Sequence, residues 1–321
     1  MRDNFKKIFY NTTHSQVTSS CGHFLFAGTN FGDIFVFSIN SLQKMSDDYS
    51  NKTMAKSSAL EPSQVLNVGD CSVNSLSFHK DFLIVGTVGK ITGYKWDDEN
   101  FQVGKVVWSV NIPVLPESVE STTINFLALD KENDLLYAGC GDNLCYCINL
   151  EDLTILRSFE GHKDYIHTVS LWDGKIYTAS EDGSILFWSP KSKEPVGKVE
   201  PYKLEKLMRP EFGKWQGTVS VANDWLLCGG GPRASMWHLP SMECTNVFPF
   251  PGKAHCSGFI DDVIFMAGEY NFVHQYSFNG ELSAEIPSSG AAVYSLLCQT
   301  EPLKFMSIAG ASNALDICTD F

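Results

Sequence analysis

The sequence is poor in positive charge. Lys and Arg together number 24 against 37 Asp and Glu, so the formal net charge at pH 7 is -13. A protein that binds nucleic acid chiefly through phosphate groups presents a basic face. The charge balance therefore argues against nucleic-acid binding as the main role and leaves room only for a local basic patch.

Long apolar runs are also missing. No stretch approaches the roughly 18 uninterrupted apolar residues of a membrane-spanning helix, and residues 1–10 are charged and lack the apolar region of a signal peptide. These absences predict an intracellular protein without a membrane span. In a reducing compartment, the ten cysteines are expected to be small, buried hydrophobic residues.

Motifs for metal binding and catalysis are absent as well. None of the cysteines forms a C-x-x-C pair, and the spacing of Cys145 and Cys147 places both side chains on one face of a strand. The chain has no G-x-S-x-G, no H-E-x-x-H and no phosphate-binding loop. The glycine-rich run 229–232 does not open a helix, so a tight hairpin turn is expected there. We therefore predict no metal, no cofactor and no catalytic residue, and a protein that is not an enzyme.

The sequence does contain a phrase that recurs along the whole chain. An apolar strand ends in a small residue, a tight polar turn follows, and a second apolar strand returns. Seven copies occur, at residues 24–37, 82–96, 135–148, 175–188, 225–237, 263–276 and 305–318. Each copy predicts a β-hairpin, because Gly, Asn and Asp in the turn tolerate the positive φ that tight hairpins require.

The spacing of the copies predicts how the hairpins assemble. The small residues before the turns are Gly28, Gly86, Gly139, Ser180, Gly229, Gly268 and Gly310. Their separations centre near the ~40–45 residues of a four-stranded propeller blade. We therefore predict an all-β fold, a seven-bladed β-propeller, as a single domain over residues 1–321. The candidate inner strands are residues 72–78, 124–129, 166–171, 218–222 and 292–297.

The fourth copy is the most regular one. It contains Gly161-His162, an Asp-Gly turn at Asp182-Gly183, and Trp188, and so resembles the WD40 repeat. The resemblance implies a seven-bladed WD40 propeller and a buried network of His162, Thr178, Asp182 and Trp188. Such a closed network satisfies polar groups that are otherwise costly to bury. A catalytic triad, with Thr178 or Ser180 as nucleophile beside His162 and Asp182, is the alternative interpretation of the same residues.

Two segments depart from the period. Residues 41–64 are polar and rich in Ser, which predicts a surface loop between the first and second blades. Residues 197–215 form an insertion before the fifth hairpin and are the most basic stretch of an acidic chain. They are either a solvated connection with a short helical turn or a contact for a partner. The candidate partner-binding residues are Lys203, Lys206, Arg209, Lys214 and Trp215.

The way in which the ring closes is left open by the sequence. The chain stops just after the second strand of the last hairpin. Residues 5–13 are one candidate for the missing outer strand of the last blade. In the alternative, residues 1–10 form a short helix and the last blade lacks a strand.

Several further phrases resemble one family. They lie at residues 21–25, 27–28, 161–167, 181–183, 209–210, 213–217, 224–232, 237–239, 277–282 and 309–310. These phrases resemble the THO complex subunit 6 family of WD40 proteins, which belongs to the mRNA-export machinery. The region 215–239 is distinctive, because ordinary WD40 repeats do not contain it. The short tail and the 41–64 loop depart from the family pattern.

The resemblance implies a non-enzymatic scaffold of the THO complex that couples transcription and processing to nuclear mRNA export. It implies docking on the coiled-coil THO subunits 5 and 7, a nuclear location, and RNA contact that is at most indirect or weak. Two alternatives remain from the residues themselves. A cullin-type ubiquitin-ligase substrate receptor would favour Trp-Asp-x-Arg, but residues 188–191 and 96–99 lack the Arg. An RNA-binding propeller would use the basic stretch within 198–214.

Overall fold

The computed structural model describes residues 10–40, 61–116, 120–319 and 321. In these residues, seven antiparallel sheets follow one another along the chain, and the inner strand of each lines a central channel. The first six sheets have four strands, and the seventh has three within the described ranges. The predicted all-β, seven-bladed propeller is therefore confirmed, and each sheet is one blade.

The strands are numbered in chain order from inner to outer within each blade. Blades 1 and 2 contain β1 (Thr13–Thr18), β2 (Phe24–Thr29), β3 (Asp33–Ser38), β4 (Gln64–Asn67), β5 (Ser75–His79), β6 (Phe82–Gly86), β7 (Lys90–Asp97) and β8 (Gln102–Asn111). Blades 3 and 4 contain β9 (Ile124–Asp130), β10 (Leu135–Cys140), β11 (Cys145–Asn149), β12 (Thr154–Phe159), β13 (Ile166–Trp172), β14 (Lys175–Ser180), β15 (Ile185–Trp188) and β16 (Gly197–Val199). Blades 5 to 7 contain β17 (Gln216–Ala222), β18 (Trp225–Gly230), β19 (Ser235–His238), β20 (Glu243–Val247), β21 (Ala254–Ile260), β22 (Val263–Gly268), β23 (Phe272–Ser277), β24 (Leu282–Pro287), β25 (Val293–Gln299), β26 (Phe305–Gly310) and β27 (Asp316–Cys318).

The seven predicted hairpins are the second and third strands of the seven blades. The five predicted inner strands also form, close to their expected bounds. Two inner strands, β1 and β21, lie outside the predicted set. Their sequences, THSQVT and AHCSGFI, are largely polar or small, because one face of each lines the channel and does not pack in a core.

The small residue before the hairpin turn allows neighbouring blades to pack closely in blades 1 to 3. A Cβ added to Gly28 would lie 2.3 Å from Val73 Cγ1, one on Gly86 would lie 2.8 Å from Ile124 Cγ2, and one on Gly139 would lie 2.7 Å from a Cγ2 of the next blade. In each case, the contacted side chain lies at or just before the start of the inner strand of the next blade. In these copies, the repeat therefore specifies the contact between blades as well as the hairpin.

The hairpin turns differ between the two halves of the ring. In blades 1 to 4, the turns contain a residue with positive φ, namely Gly32, Gly89, Asn143 and Gly183. The hairpin turns of blades 5 to 7 contain none within the described residues. Tolerance of positive φ, the reason expected for Gly, Asn and Asp in these turns, therefore applies to the first four hairpins only.

The seam between blades 7 and 1 is held by side chains of the inner strands. Gln16 Nε2 donates hydrogen bonds to the carbonyl oxygens of Ser295 and Ser307 at 3.2 and 3.4 Å, and the Ser307 hydroxyl donates to Gln16 Oε1. At the opposite end of the strands, Gln299 Nε2 donates to Gly22 O at 3.0 Å. Thr13 begins the inner strand of blade 1, so it is not part of an outer strand of blade 7. Residues 1–9, on which both predictions of ring closure depend, lie outside the described residues.

The two predicted insertions have different bounds in the structure. Residues 41–60 of the predicted 41–64 loop lie outside the described ranges, and Gln64 already belongs to β4. Gly197–Val199 is the outer strand of blade 4, so the insertion itself is 200–215. It contains three single-turn 3-10 helices, Pro201–Lys203, Glu205–Leu207 and Pro210–Phe212. No helix in the described part of the chain is long and apolar enough to cross a membrane.

Candidate functional site

The four predicted network residues of blade 4 are brought together by the structure. His162 Nδ1 donates to Asp182 Oδ2 at 2.9 Å, the Thr178 hydroxyl bonds to His162 Nε2 at 2.7 Å, and Trp188 Nε1 donates to Thr178 Oγ1 at 2.8 Å. The backbone N–H groups of Lys163 and Ser184 also donate to the Asp182 carboxylate. This chain of bonds fastens the connection before β13 to the hairpin turn and to β15.

The environment of Asp182 keeps its carboxyl group ionised. Burial by itself raises the pKa of Asp182, but hydrogen bonds from His162 and Ser184 outweigh this effect and hold the pKa well below its ordinary value. The ionised carboxylate can only accept hydrogen bonds, so the proton of this hydrogen bond lies on His162 Nδ1. Thr178 Oγ1 lies 2.7 Å from the other ring nitrogen, Nε2.

Thr178, His162 and Asp182 are hydrogen-bonded in the order of a catalytic triad, as nucleophile, base and acid. A substrate, however, cannot reach them. Thr178 and the side chain of His162 are completely buried, and the Thr178 hydroxyl already receives the indole N–H of Trp188. Ser180, the other candidate nucleophile, is also fully buried, and its hydroxyl donates to Asp164 O. The geometry therefore supports a structural role for these residues and disfavours the triad interpretation.

The insertion at 200–215, here called the strap, lies between blades 4 and 5. Leu207 is completely buried in a core cluster with Tyr177, Phe187 and Trp237, which belong to both blades. The ring of Tyr202 packs against Gly183 in the hairpin turn of blade 4, where a Cβ would lie 2.8 Å from the ring. The strap is thus an ordered part of the propeller, with one side anchored in the core.

Arg209 was predicted to contact a partner, and the structure places it in the interior instead. It is 7% exposed, and its guanidinium group lies against the ring of Phe212 at 4.8 Å. The guanidinium donates to the carbonyl oxygens of residues 230, 231, 232, 250, 251 and 252 at 2.9 to 3.5 Å. Its five N–H groups are therefore committed to backbone carbonyls of the hairpin turn of blade 5 and of the connection to blade 6. Arg209 is a structural clasp.

The glycine-rich run in the hairpin turn of blade 5 makes room for the strap. A Cβ on Gly230 would lie 2.2 Å from Trp215 O, and a Cβ on Gly231 would lie 2.4 Å from Gly213 O. Both glycines have ordinary negative φ. Their role is close approach of two backbones, which agrees with a turn and not with a phosphate cradle.

The lysines of the strap remain at the surface. Lys203, Lys206 and Lys214 are exposed, as is Met208 at 45%. Lys203 and Lys198 both pair with Glu200, at 2.7 and 2.9 Å. The outer side of the strap, defined by Lys203, Lys206, Met208 and Lys214, therefore carries exposed lysines and an exposed apolar side chain. Lys206 Nζ donates to Cys244 O at 2.9 Å, and Glu200 partly balances the positive charge.

Trp215 points to a different place, the mouth of the central channel. Its indole lies directly over Gly217, where a Cβ would be 2.4 Å from the ring, and Nε1 donates to Phe212 O at 3.1 Å. The channel has a volume of about 640 Å³ and is lined by the inner strands of all seven blades. Trp215 thus belongs to the channel and not to the outer side of the strap.

Five aromatic and imidazole rings form an arc around this mouth. The centroid distances are 6.0 Å for His14–Tyr294, 4.9 Å for Tyr294–His255, 5.3 Å for His255–Trp215 and 5.7 Å for Trp215–His167. The arc continues in Glu181, whose carboxylate accepts a hydrogen bond from His167 Nε2 at 2.7 Å. It spans blades 1, 7, 6, 5 and 4, and the amide side chains Asn74 and Asn125 line blades 2 and 3.

A repeated backbone irregularity directs these side chains inward. In six blades, the register between the first two strands shifts by one residue near the start of the inner strand. The extra residues are His14, Asn125, His167, Gly217, His255 and Tyr294. In blade 2, Asn74 occupies the corresponding place. A β-bulge re-aims a side chain relative to the regular sheet, so the same device is used around the ring to line the mouth.

Burial keeps two of the imidazoles neutral. It lowers the pKa of His14 and lowers that of His255 to about 4, although Glu269 partly opposes the second shift. His255 Nε2 is buried without a hydrogen-bond partner among the described residues, and the nearest carboxylate oxygen, on Glu269, is 3.9 Å away. His14 and His255 therefore contribute no positive charge to the mouth at pH 7.

Of these mouth residues, only Trp215 was among the predicted site residues, where it was assigned to the partner contact of the basic insertion. The signal was available at the start of each inner strand, where a polar or aromatic residue precedes a small one, as in His14-Ser15, His167-Thr168, His255-Cys256 and Tyr294-Ser295. It could not be recognised before the register of the inner strands was known, because β1 and β21 carry two of the four pairs.

The cysteines are only partly as expected. All ten are free thiols, and Cys140, Cys145, Cys147 and Cys228 are buried. Cys21 is exposed, contrary to the prediction, because it lies in the turn between β1 and β2. Within the described ranges, no group of three or more His, Cys, Asp or Glu residues is arranged to hold a metal ion.

Comparison of the sequence with known proteins assigns the chain to a family. No protein-family model matches the chain. The chain is 45% identical to THO complex subunit 6 of Drosophila melanogaster, over 100% of this chain and 90% of the relative. The chain belongs to the THO complex subunit 6 family. Vertebrate members of the family are also similar, with 33% identity to the human protein over 96% of this chain and 90% of the relative, and 32% to that of Danio rerio over 98% and 96%.

Proposed function

We propose that this protein is a non-enzymatic scaffold subunit of a THO complex, which couples transcription and processing to nuclear mRNA export. The observation that carries the proposal is the 45% identity over the full chain to a protein named THO complex subunit 6. The fold agrees with such a role, because a propeller presents many loops on a rigid support. We infer a nuclear location from the same relationship.

The proposed partners are the coiled-coil THO subunits 5 and 7, and the proposed contact is the outer side of the strap. Coiled coils carry Glu and Lys beside an apolar seam. The exposed Lys203, Lys206 and Lys214, with Met208 among them, are complementary to an acidic and partly apolar helix surface. Arg209 is excluded from this contact because its donors are already used inside the protein.

The test is purification of the tagged protein from nuclear extract treated with RNase. We expect the coiled-coil THO subunits to co-elute in near-stoichiometric amounts. Their absence would overturn the proposal, and recovery of a cullin-ligase adaptor or of an RNA-dependent complex in their place would favour one of the two alternatives.

A charge-reversal variant tests the strap as the contact. The variant Lys203→Glu/Lys206→Glu/Lys214→Glu should lose the coiled-coil subunits. The matched control is Lys105→Glu/Lys131→Glu/Lys193→Glu, which changes the net charge equally at exposed positions of blades 2, 3 and 4 outside the strap. If both variants retain the subunits equally well, the contact lies elsewhere on the propeller, although membership of the complex stands.

A further inference from the structure

The mouth of the central channel combines aromatic and imidazole rings with a carboxylate, as binding sites often do. It has no role in the proposed docking on THO subunits. Its arc of five rings covers five blades, and a channel of about 640 Å³ remains beneath it. The side chains are accessible, since those of His167 and Glu181 are 31% and 42% exposed.

The charge of the lining determines the kind of ligand it can accept. Among the described residues that line the channel, none is Lys or Arg, and Glu181 is the one non-histidine side chain that carries a formal charge. His14 and His255 are neutral because burial lowers their pKa values. Among these lining residues a phosphate group would therefore meet a carboxylate and no lysine or arginine, whereas a cation would meet the carboxylate of Glu181 and the nearby ring of Trp215.

The shape and the hydrogen-bonding groups favour a guanidinium over an ammonium. A guanidinium is planar, stacks on aromatic faces and offers five N–H donors in a fixed plane. Acceptors are present on the neighbouring blades 3 and 4. Glu181 uses Oε2 for His167. Asn125 uses Nδ2 to donate to Ile166 O at 2.9 Å, so its carbonyl oxygen faces no donor within the described residues.

The wall below the arc is fixed in advance of binding. Ser15 Oγ accepts the N–H of Leu76 from the next blade, and Thr168 Oγ1 donates to Gly217 O at 2.6 Å. Thr218 and Ser257 share a hydrogen bond at 2.8 Å across the next junction. These bonds join neighbouring blades around the channel, so the mouth requires little reorganisation when it receives a ligand.

We propose that the channel mouth binds an arginine side chain presented by an extended segment of a partner protein. The guanidinium stacks on Trp215 and forms an ion pair with Glu181, both of which lie beside His167. This site is separate from the outer side of the strap, and it does not require that the protein belongs to a THO complex.

The experiment measures binding of a fluorescein-labelled peptide, Gly-Ser-Gly-Arg-Gly-Ser-Gly, to the purified full-length protein by fluorescence anisotropy. We expect saturable binding that is weaker for the lysine peptide and lost for the citrulline peptide, which keeps the shape but not the charge. Absence of saturable arginine-peptide binding at millimolar concentration, or equal binding of the citrulline peptide, would overturn the proposal.

Variants locate the site. Glu181→Gln is isosteric and Trp215→Leu removes the ring; each should weaken the arginine peptide about tenfold, the factor that corresponds to loss of one ion pair or one cation–π contact. The matched controls are Glu132→Gln and Trp172→Leu, which alter exposed residues at the opposite ends of the inner strands and should leave affinity unchanged. Unchanged affinity in Glu181→Gln, which is the variant least able to disturb the fold, would contradict the assignment.

A second probe tests whether the mouth binds a nucleotide base instead of an arginine side chain. Adenosine monophosphate offers a flat base for stacking but carries a phosphate. We expect no binding that depends on Trp215. Binding of the nucleotide that is stronger than that of the arginine peptide, and lost in Trp215→Leu, would overturn the proposal in favour of base stacking.

Discussion

Blades 4 and 5 solve the same structural problem with different chemistry. In both blades, the connection before the inner strand must be fastened to the hairpin turn. Blade 4 uses side chains on both sides, with His162 in the connection and Asp182 in the turn. Blade 5 uses one side chain, Arg209, which donates to carbonyl oxygens of the turn and of the next connection.

The difference explains why one fastening is visible in the sequence and the other is not. Every member of the blade 4 network is a side chain at a fixed place in the repeat, so the pattern indicates the network. The acceptors of Arg209 are backbone carbonyls, which every residue possesses. An arginine in a basic stretch therefore resembles a surface residue until the fold shows that the carbonyls converge on it.

The largest effect is expected from removal of the blade 5 clasp. Arg209→Leu leaves several buried carbonyl oxygens without a donor, and we expect the free energy of unfolding to fall by about 3–4 kcal/mol. Urea unfolding monitored by tryptophan fluorescence measures this change. Arg209→Lys restores the charge but not the planar fork of donors, and it should recover only part of the loss. A wild-type urea midpoint for Arg209→Leu would contradict the clasp.

The blade 4 network should be somewhat less costly to break. Asp182→Ala leaves His162 buried and underpaired, and we expect a loss of roughly 1–3 kcal/mol. The same urea titration gives the value, with the exposed Asp152→Ala as a control for loss of a carboxylate. An Asp182→Ala protein that unfolds like the wild type would show that the network does not stabilise the blade.

The dependence on pH distinguishes the two fastenings. The pKa of Asp182 is lower in the folded protein than the ~3.9 of an unfolded chain, so its stabilisation is present above that value and is lost as the pH falls below it. The contribution of the Asp182 carboxylate to the difference in unfolding free energy between wild type and Asp182→Asn should therefore be present above about pH 4 and shrink below it. For Arg209→Leu, no such convergence is expected, since arginine remains charged throughout. Parallel Asp182→Asn and wild-type curves down to pH 2 would be inconsistent with this account.

The smallest effect is expected at the surface of the strap. Lys203 pairs with Glu200 at 2.7 Å, but it is well exposed, and exposed ion pairs contribute little to stability. Lys203→Gln should change the free energy of unfolding by less than about 0.5 kcal/mol, similar to the unpaired control Lys193→Gln. A larger loss in thermal unfolding would mean that the ion pair helps to hold the strap on the blade.

The hairpins and their number could be predicted because each carries its own local signal. An apolar strand, a small residue and a polar turn lie within about 15 residues in every copy. The inner strands β1 and β21 have a weaker apolar pattern, because the face that lines the channel does not pack in a core and need not be apolar. The outer strand β16 was assigned to the insertion, since three residues are too few to show a pattern.

The candidate sites also differ in how far they could be predicted from local sequence. The network of His162, Thr178, Asp182 and Trp188 follows from one repeat, within 27 residues of sequence. The arc at the channel mouth joins residues from five blades, and His14 and Tyr294 lie 6.0 Å apart although they come from opposite ends of the chain. No local pattern contains such a site, because ring closure brings its members together.

By itself, the sequence determined the class of fold, the count of blades, the turn-and-strand phrase and the blade 4 network. These features depend on local periodicity and on side chains that recur at fixed spacing. Only the tertiary structure decided that Arg209 is a buried clasp, that Trp215 lines the channel and that Gln16 joins the first blade to the last. Each of these depends on backbone groups or side chains from distant blades, which become neighbours only when the ring has closed.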